Sequence, residues 1–183
     1  MDYRKLCEEV VIIAKETGSY IRGYLNQIAD NQIEKKGKQN FVTFVDKGAE
    51  ERIVKSLIPL LPEAGFITEE GTSAKSGETY TWVIDPLDGT TNFIHGAPPV
   101  SVSIALLESN IPVLGVVYEL FLDECFYAWE GSKAYLNGNE IKVSSVEKTA
   151  DALIATGFPF HNFDRIETYM ESLKYFFTHS HGV

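Results

Sequence analysis

An α+β fold, with an antiparallel sheet packed on two early helices, is what the sequence predicts. Three observations lead there. Apolar residues recur at three- and four-residue steps in two stretches of the first third of the chain. Short runs rich in β-branched and aromatic residues follow, separated by small polar turns. Closely spaced strands with short links pair antiparallel, and such a sheet buries one face against helices.

Leu6, Val10, Ile13, Thr17, Ile21, Tyr24 and Ile28 mark one amphipathic helix over residues 3–29. Residues 33–36 read as a strand, 37–40 as a loop and 41–44 as extended chain. A second helix begins at Asp46 and runs to about Leu61, with Ile53, Leu57, Ile58 and Leu61 on its inner face. Pro59 loosens its last turn. Residues 65–68 form a short apolar strand that stops at Glu69-Glu70, and residues 72–79 make a polar loop. Trp82, Val83 and Ile84 form a buried strand; Pro86 follows where the ladder ends and holds Asp85 extended. Gly89 turns the chain, and Thr90 or Thr91 caps a helix begun by Asn92 and Phe93. Strands come next near 100–107, 112–120 and 124–129, with turns at Ser109-Asn110 and Asn137-Gly138. A further apolar strand at 152–156 leads through Gly157 and Pro159 into a helix over about 163–177.

With 183 residues the chain can bury a real core. Its 26 acidic and 16 basic residues leave a formal charge of −10, and no basic run stands out, so a nucleic-acid backbone is not the main partner. An acidic protein that acts on an anionic phosphate needs metal to reverse the local field. Cys7 and Cys125 fit no metal spacing and read as reduced thiols of a cytoplasmic protein. The longest uncharged run, 89–107, contains Asn92, His95, Pro98 and Pro99, and makes a poor membrane span.

Chemistry concentrates where two strands stop at acids. Neighbouring strands of that kind bring Glu69, Asp85 and Asp88 to one sheet edge. Mg2+ needs few protein carboxylates, because it keeps waters and takes substrate oxygens. These three acids, with the Leu87 carbonyl, can hold one ion and part of a second. Backbone N–H groups at the following helix start suit a phosphate, and the whole reads as a phosphate-ester site. A lone Asp-x-x-Asp-Gly is an ordinary turn; the longer string with Glu69-Glu70 upstream is harder to explain that way. Asp46 taken alone can equally be the N-cap of the second helix, and Lys36 an exposed lysine without a role. His179 and His181, near the chain end, do not by themselves make a metal pair. No Ser-His-Asp order or Gly-rich nucleotide loop is present.

Glu69-Glu70 followed by Trp82-Val83-Ile84-Asp85-Pro86-Leu87-Asp88-Gly89-Thr90-Thr91-Asn92-Phe93 resembles the signature of the inositol monophosphatase family, Mg2+-dependent and lithium-sensitive sugar-phosphate phosphatases. Lys36, Asp46, the strand at 113–118, Leu136-Asn137-Gly138 and the segment 155–160 fall in the expected order, the last in its bacterial form. The rival Asp-x-Asp-Gly-Thr motif of haloacid-dehalogenase phosphatases is not matched, since two residues separate these acids.

The resemblance implies a layered α/β sandwich of the sugar-phosphatase type. Residues 1–150 would form an N-terminal metal-binding α+β domain, and 151–183 the beginning of a C-terminal α/β domain. It implies two or three Mg2+ ions. Glu69, Asp85 and the Leu87 carbonyl hold the first, Asp85 and Asp88 the second, and Glu69 touches a third while orienting the attacking water. Phosphate binding falls to Asp88 and to the Gly89, Thr90 and Thr91 N–H groups. Thr90 and Asp46 resemble the family's hydroxyl–carboxylate pair that activates the water; Lys36 approaches the phosphate or a nearby acid, and Glu70 supports Glu69. The family's Trp-Asp motif, whose aspartate completes the second metal site, has no counterpart, so the sequence is expected to lack the family's C-terminal part. The implied reaction is hydrolysis of inositol monophosphate or a similar sugar or polyol phosphate, by a homodimer with no membrane partner. Fructose-1,6-bisphosphate, 3′-phosphoadenosine phosphate and histidinol phosphate are alternative substrates, and a catalytically inactive fragment or interaction domain is the alternative class.

Overall fold

The computed structural model describes residues 1–183 apart from 26, 28–32, 38, 39, 74, 160 and 161, and for residues 33–37 and 40–43 the backbone alone. Two compact units divide it: Met1–Lys36 with Phe41–Ile141, and Gly37–Asn40 with Lys142–Val183.

In the first unit, helix α1 (Tyr3–Arg22) starts where the Asp2 side chain accepts the Lys5 N–H at 3.1 Å. Leu6, Val10, Ile13, Thr17 and Ile21 are its buried stripe, as their spacing requires. The helix ends well before residue 29. Past Gly23 the N–H groups of Tyr24, Leu25 and Gln27 reach carbonyls three residues back, a tighter winding that does not propagate. Ile28 and Ala29 lie outside the described residues. Strands β1 (Ile33–Gly37) and β2 (Asn40–Thr43) form a separate two-stranded sheet.

Helix α2 (Phe44–Leu57) begins two residues earlier than expected, so Asp46 sits in its first turn and not at its N-cap. It also stops short of Leu61. Pro59 lacks an N–H and disfavours helical geometry at Ile58, so Ile58 turns outward, 46% exposed, instead of joining the inner face. Leu61 is buried from the turn that follows.

The main sheet has seven strands in the order β3 (Gly65–Thr68), β4 (Tyr80–Asp88), β5 (Ser101–Glu108), β6 (Ile111–Glu119), β7 (Glu124–Trp129), β8 (Ala134–Leu136) and β9 (Asn139–Ile141). From β4 onward every pair is antiparallel, but β3 runs parallel to β4 with Thr68 opposite Ile84. The expected antiparallel sheet is therefore mixed. The turns at Ser109-Asn110 and Asn137-Gly138 have positive φ at both residues, the geometry that suits the sheet's twist. Strand β4 continues past Pro86: the ladder slips between Asp85 and Asp88, and the prolines's missing N–H falls in that bulge.

Alternation places Val102, Ile104 and Leu106 of β5 inward with Trp82, Ile84, Val116 and Tyr118. α1 covers β5, β6 and β7 on this face, and α2 packs on β4 and α1. Close approach is built in: a Cβ on Gly18 of α1 would lie 2.4 Å from the Tyr118 ring. Among the described residues no helix is long and apolar enough to cross a membrane.

In the second unit, the expected strand at 152–156 is only a bridge of Leu153 to Gly182, with the His181 N–H on the Ala152 carbonyl and the Ile154 N–H on that of Gly182. A strand needs a ladder, and the described residues supply that one rung. Leu153 is correspondingly exposed. Helix α4 (Ile166–His179) starts three residues later than expected, after an Asn162 side chain has turned the chain by accepting the Asp164 N–H.

Candidate active site

Parallel pairing of β3 and β4 does the gathering. With Thr68 opposite Ile84, the next residue on each strand is an acid, Glu69 on one and Asp85 on the other. Their carboxyls share a hydrogen bond, and the Leu87 N–H donates to Asp85 Oδ1 at 3.2 Å. Burial, the Glu69 hydrogen bond and the negative charges of Glu69 and Asp88 push the Asp85 carboxyl up to about 7, against a smaller opposing pull from the Leu87 N–H. Asp88 stands exposed beyond the bulge, near enough for its charge to be felt at Asp85.

Gly89 follows in the left-handed region, φ 94°, as the N-cap of a short helix α3 (Thr90–Ile94). A Cβ there would also lie 2.7 Å from the Pro99 carbonyl oxygen, so the position requires glycine twice over. Neither threonine caps α3 as expected, because that role falls to Gly89. The Thr90 hydroxyl points back instead, donating to Asp46 Oδ1 at 3.0 Å and lying 3.2 Å from the Leu87 carbonyl oxygen. Asp46 itself is buried. One helix start thus ties the segment after β4 to the first turn of α2. Thr91 is exposed on α3.

Of the remaining candidates, Glu70 is half-buried and gives its N–H to Glu50. Lys36 belongs to β1, and its side chain lies outside the described residues. His179 stacks on Tyr175 with ring centres 4.1 Å apart, and its Nδ1 meets the Tyr175 carbonyl. A cavity of about 700 Å³ between α1 and α2, lined by Glu16, Tyr20, Glu51, Arg52 and Lys55, includes none of Asp46, Glu69, Asp85 and Asp88.

Sequence reasoning passed over Glu50. It is fully buried on α2 one turn past Asp46, and its two oxygens hold the backbone after Glu69. The available signal was its place in the buried stripe of Val45, Ala49, Ile53 and Leu57, where an acid needs partners.

Does a divalent cation fit here? Among the described residues no three or more His, Cys, Asp or Glu side chains are gathered closely enough to hold one as they stand. What is gathered is a pair of carboxylates, with a main-chain carbonyl one bulge away. That is an all-oxygen set of the size Mg2+ takes from a protein. Burial and the Glu69 and Asp88 charges push the Asp85 carboxyl up, the direction that crowded like charge gives and that a cation would offset. The donor chemistry fits.

The model of the inositol monophosphatase family matches residues 2–183. The chain is 35% identical over 171 residues to the fructose-1,6-bisphosphatase/inositol-1-monophosphatase of Aquifex aeolicus, covering 93% of this chain and 65% of that one. It is 46% identical over 149 residues to inositol monophosphatase 2 of Solanum lycopersicum, covering 78% of this chain and 55% of that one. It therefore spans less than two thirds of either relative. The solved extragenic suppressor protein suhB of Bartonella henselae superposes with a TM-score of 0.90 at 32% identity, over 97% of this chain and 69% of that one. A family match over nearly the whole chain, with relatives and a solved structure above 30% identity, places it: the chain belongs to the inositol monophosphatase family.

Proposed function

We propose that the protein hydrolyses the phosphomonoester of inositol or a similar sugar or polyol, using Mg2+ held by Glu69, Asp85, Asp88 and the Leu87 carbonyl. The observation that carries this reading is the meeting of the Glu69 and Asp85 carboxyls at two parallel strand ends. Family membership supports the reaction class, and the name of the Aquifex aeolicus relative supports a choice among sugar phosphates.

A cation there would lower the pKa of a bound water and offset charge on the leaving oxygen. Glu69, the exposed member of the pair, orients that water. Asp46 accepts a 3.0 Å hydrogen bond from the Thr90 hydroxyl, which leaves a Thr90 lone pair to accept a hydrogen bond from the water. As the water gives up its proton to Thr90, the Thr90 proton passes to the Asp46 carboxylate. The Gly89, Thr90 and Thr91 N–H groups bind phosphate oxygens beside the acids. By the family resemblance Lys36 would approach the phosphate or a nearby acid, and Glu70 supports Glu69 through the turn they share. Two or three ions, lithium inhibition, a cytoplasmic location and a homodimer belong to the same reading; the two buried, unbridged thiols Cys7 and Cys125 suit a reducing compartment.

The test is a hydrolysis panel on the full-length protein with Mg2+ and with a chelator. Inositol 1-phosphate should be cleaved in a Mg2+-dependent way, ahead of fructose-1,6-bisphosphate, histidinol phosphate and 3′-phosphoadenosine phosphate. Asp88→Asn should lower kcat by roughly two to three orders of magnitude while the far-ultraviolet circular dichroism is unchanged. Near-normal Mg2+-dependent turnover in that variant would remove Asp88 from the site, and preference for the nucleotide would replace inositol as substrate.

A further inference from the structure

Helix α2 carries a second acid that the reaction above does not use. Glu50 is fully buried. A carboxylate taken from water is strongly disfavoured unless hydrogen bonds replace its hydration. Here both oxygens are engaged: Oε2 accepts the Glu70 N–H at 2.7 Å, and Oε1 accepts the Thr72 N–H at 2.8 Å. Charge-assisted bonds of this length are among the stronger contacts a side chain makes to main chain. An apolar residue of the same size would leave both amides without those acceptors.

The two amides flank Gly71, whose φ of 73° makes the turn. Glu69 is the residue just before the first of them. Its backbone is consequently fixed on one side by the β3 ladder and on the other by an amide pinned to α2. Asp46 and Glu50, four residues apart, lie on one face of that helix. The first holds Thr90, which follows β4, and the second holds the turn that follows β3. Both halves of the candidate site are thereby referred to a single rigid element.

We infer that Glu50 is a positioning residue: through the Glu70 and Thr72 amides it sets where the Glu69 carboxylate stands against Asp85, so that the pair can receive a divalent cation. This inference rests on the reading of Glu69 and Asp85 as cation ligands. It assigns Glu50 no contact with substrate, and it explains why an acid occupies a helix position otherwise given to Val45, Ala49, Ile53 and Leu57.

The test uses the full-length protein, Mn2+ as the probe ion followed by its free-ion paramagnetic resonance signal, and amide hydrogen exchange. Glu50→Gln keeps the shape but can accept only one of the two N–H groups, and its own NH2 then faces a donor. Glu50→Ala removes both acceptors. Asp85→Asn is the reference for loss of a ligand. Mn2+ should bind about 10- to 100-fold more weakly to Glu50→Gln, and no more tightly to Glu50→Ala. Exchange should quicken at Glu70 and Thr72 while the amides of β5 and β6 stay protected. Mn2+ affinity within about twofold of the parent in either folded Glu50 variant would overturn the inference. So would a Glu50→Gln chain that fails to fold, since the side chain would then be a prop of the core. Unchanged Mn2+ binding by Asp85→Asn would overturn the ligand reading itself, a failure distinguishable from the other two.

Discussion

Asp85 is the residue at which burial and like charge meet. Its carboxyl is raised to about 7, first by burial, then by the Glu69 hydrogen bond and the charges of Glu69 and Asp88. The folded chain therefore holds this proton more tightly than the unfolded chain, whose ordinary aspartate titrates near 3.8. That contribution to stability is fully present below the unfolded value and is lost as pH rises through the folded one. In chelator-treated protein, urea midpoints should fall as pH rises from about 5 to about 8, and Asp85→Asn should flatten that slope. Divalent-ion affinity should move the other way, tightening as pH rises through about 7, because the ion displaces the proton. A slope of either kind that survives in Asp85→Asn would place the titrating group elsewhere. Sequence alone pointed to Asp85 because a stiff Asp-Pro stem leaves a strand end with few alternatives. Glu50 was not legible in the same way. Beside its exposed neighbour Glu51 it looks like one more acid on a helix, and only packing separates the two.

At the scale of elements, direction is what the sequence withheld. Composition identifies β3 and β4 as strands, yet a four-residue strand reads the same whichever way its neighbour points. Among the described residues of 69–79 between them there is no helix, which normally argues against a parallel pair. They nevertheless fold back on β3: the Phe66 N–H reaches the Lys75 carbonyl, and Gly65 and Gly77 approach so closely that a Cβ on either would strike the other's backbone. The bulge in β4 was equally hidden, since proline was expected to end the strand and is instead absorbed by it. Downstream of this irregularity, α3 and α2 are joined by the Thr90–Asp46 hydrogen bond across 44 residues of sequence. Two side chains in one network do not lose their contributions independently. Thr90→Val and Asp46→Asn should each destabilise the protein, and the double variant by less than the sum, with a coupling of about 0.5–3 kcal/mol in urea denaturation. Additive losses would mean that the two groups stabilise the fold separately and form no functional pair.

Across the first unit as a whole, one continuous core runs from α1 through α2 to β7, and the site stands at its edge. That core was the most legible feature, because burial of apolar faces is what helical and strand periodicities encode. Leu6, Val10, Ile13, Trp82 and Ile84 are all buried as their spacing requires. The arrangement also separates stability from binding. Ile53 is fully buried on the same face of α2 as Asp46 and Glu50, but it belongs to the apolar core and has no polar atom to hold the turn after Glu69. Ile53→Ala should therefore cost about 2–5 kcal/mol and lower the melting midpoint by roughly 5–15 °C. Measured well below that midpoint, Mn2+ affinity should stay near that of the parent, because a cavity under the helix leaves the hydrogen bonds of Glu50 intact. Glu50→Gln should show the opposite pattern, weakened ion binding out of proportion to its loss of stability. If Ile53→Ala weakened Mn2+ binding as much as Glu50→Gln does, ion affinity would simply follow global stability, and the carboxylate on α2 would have no separate part in aiming the site.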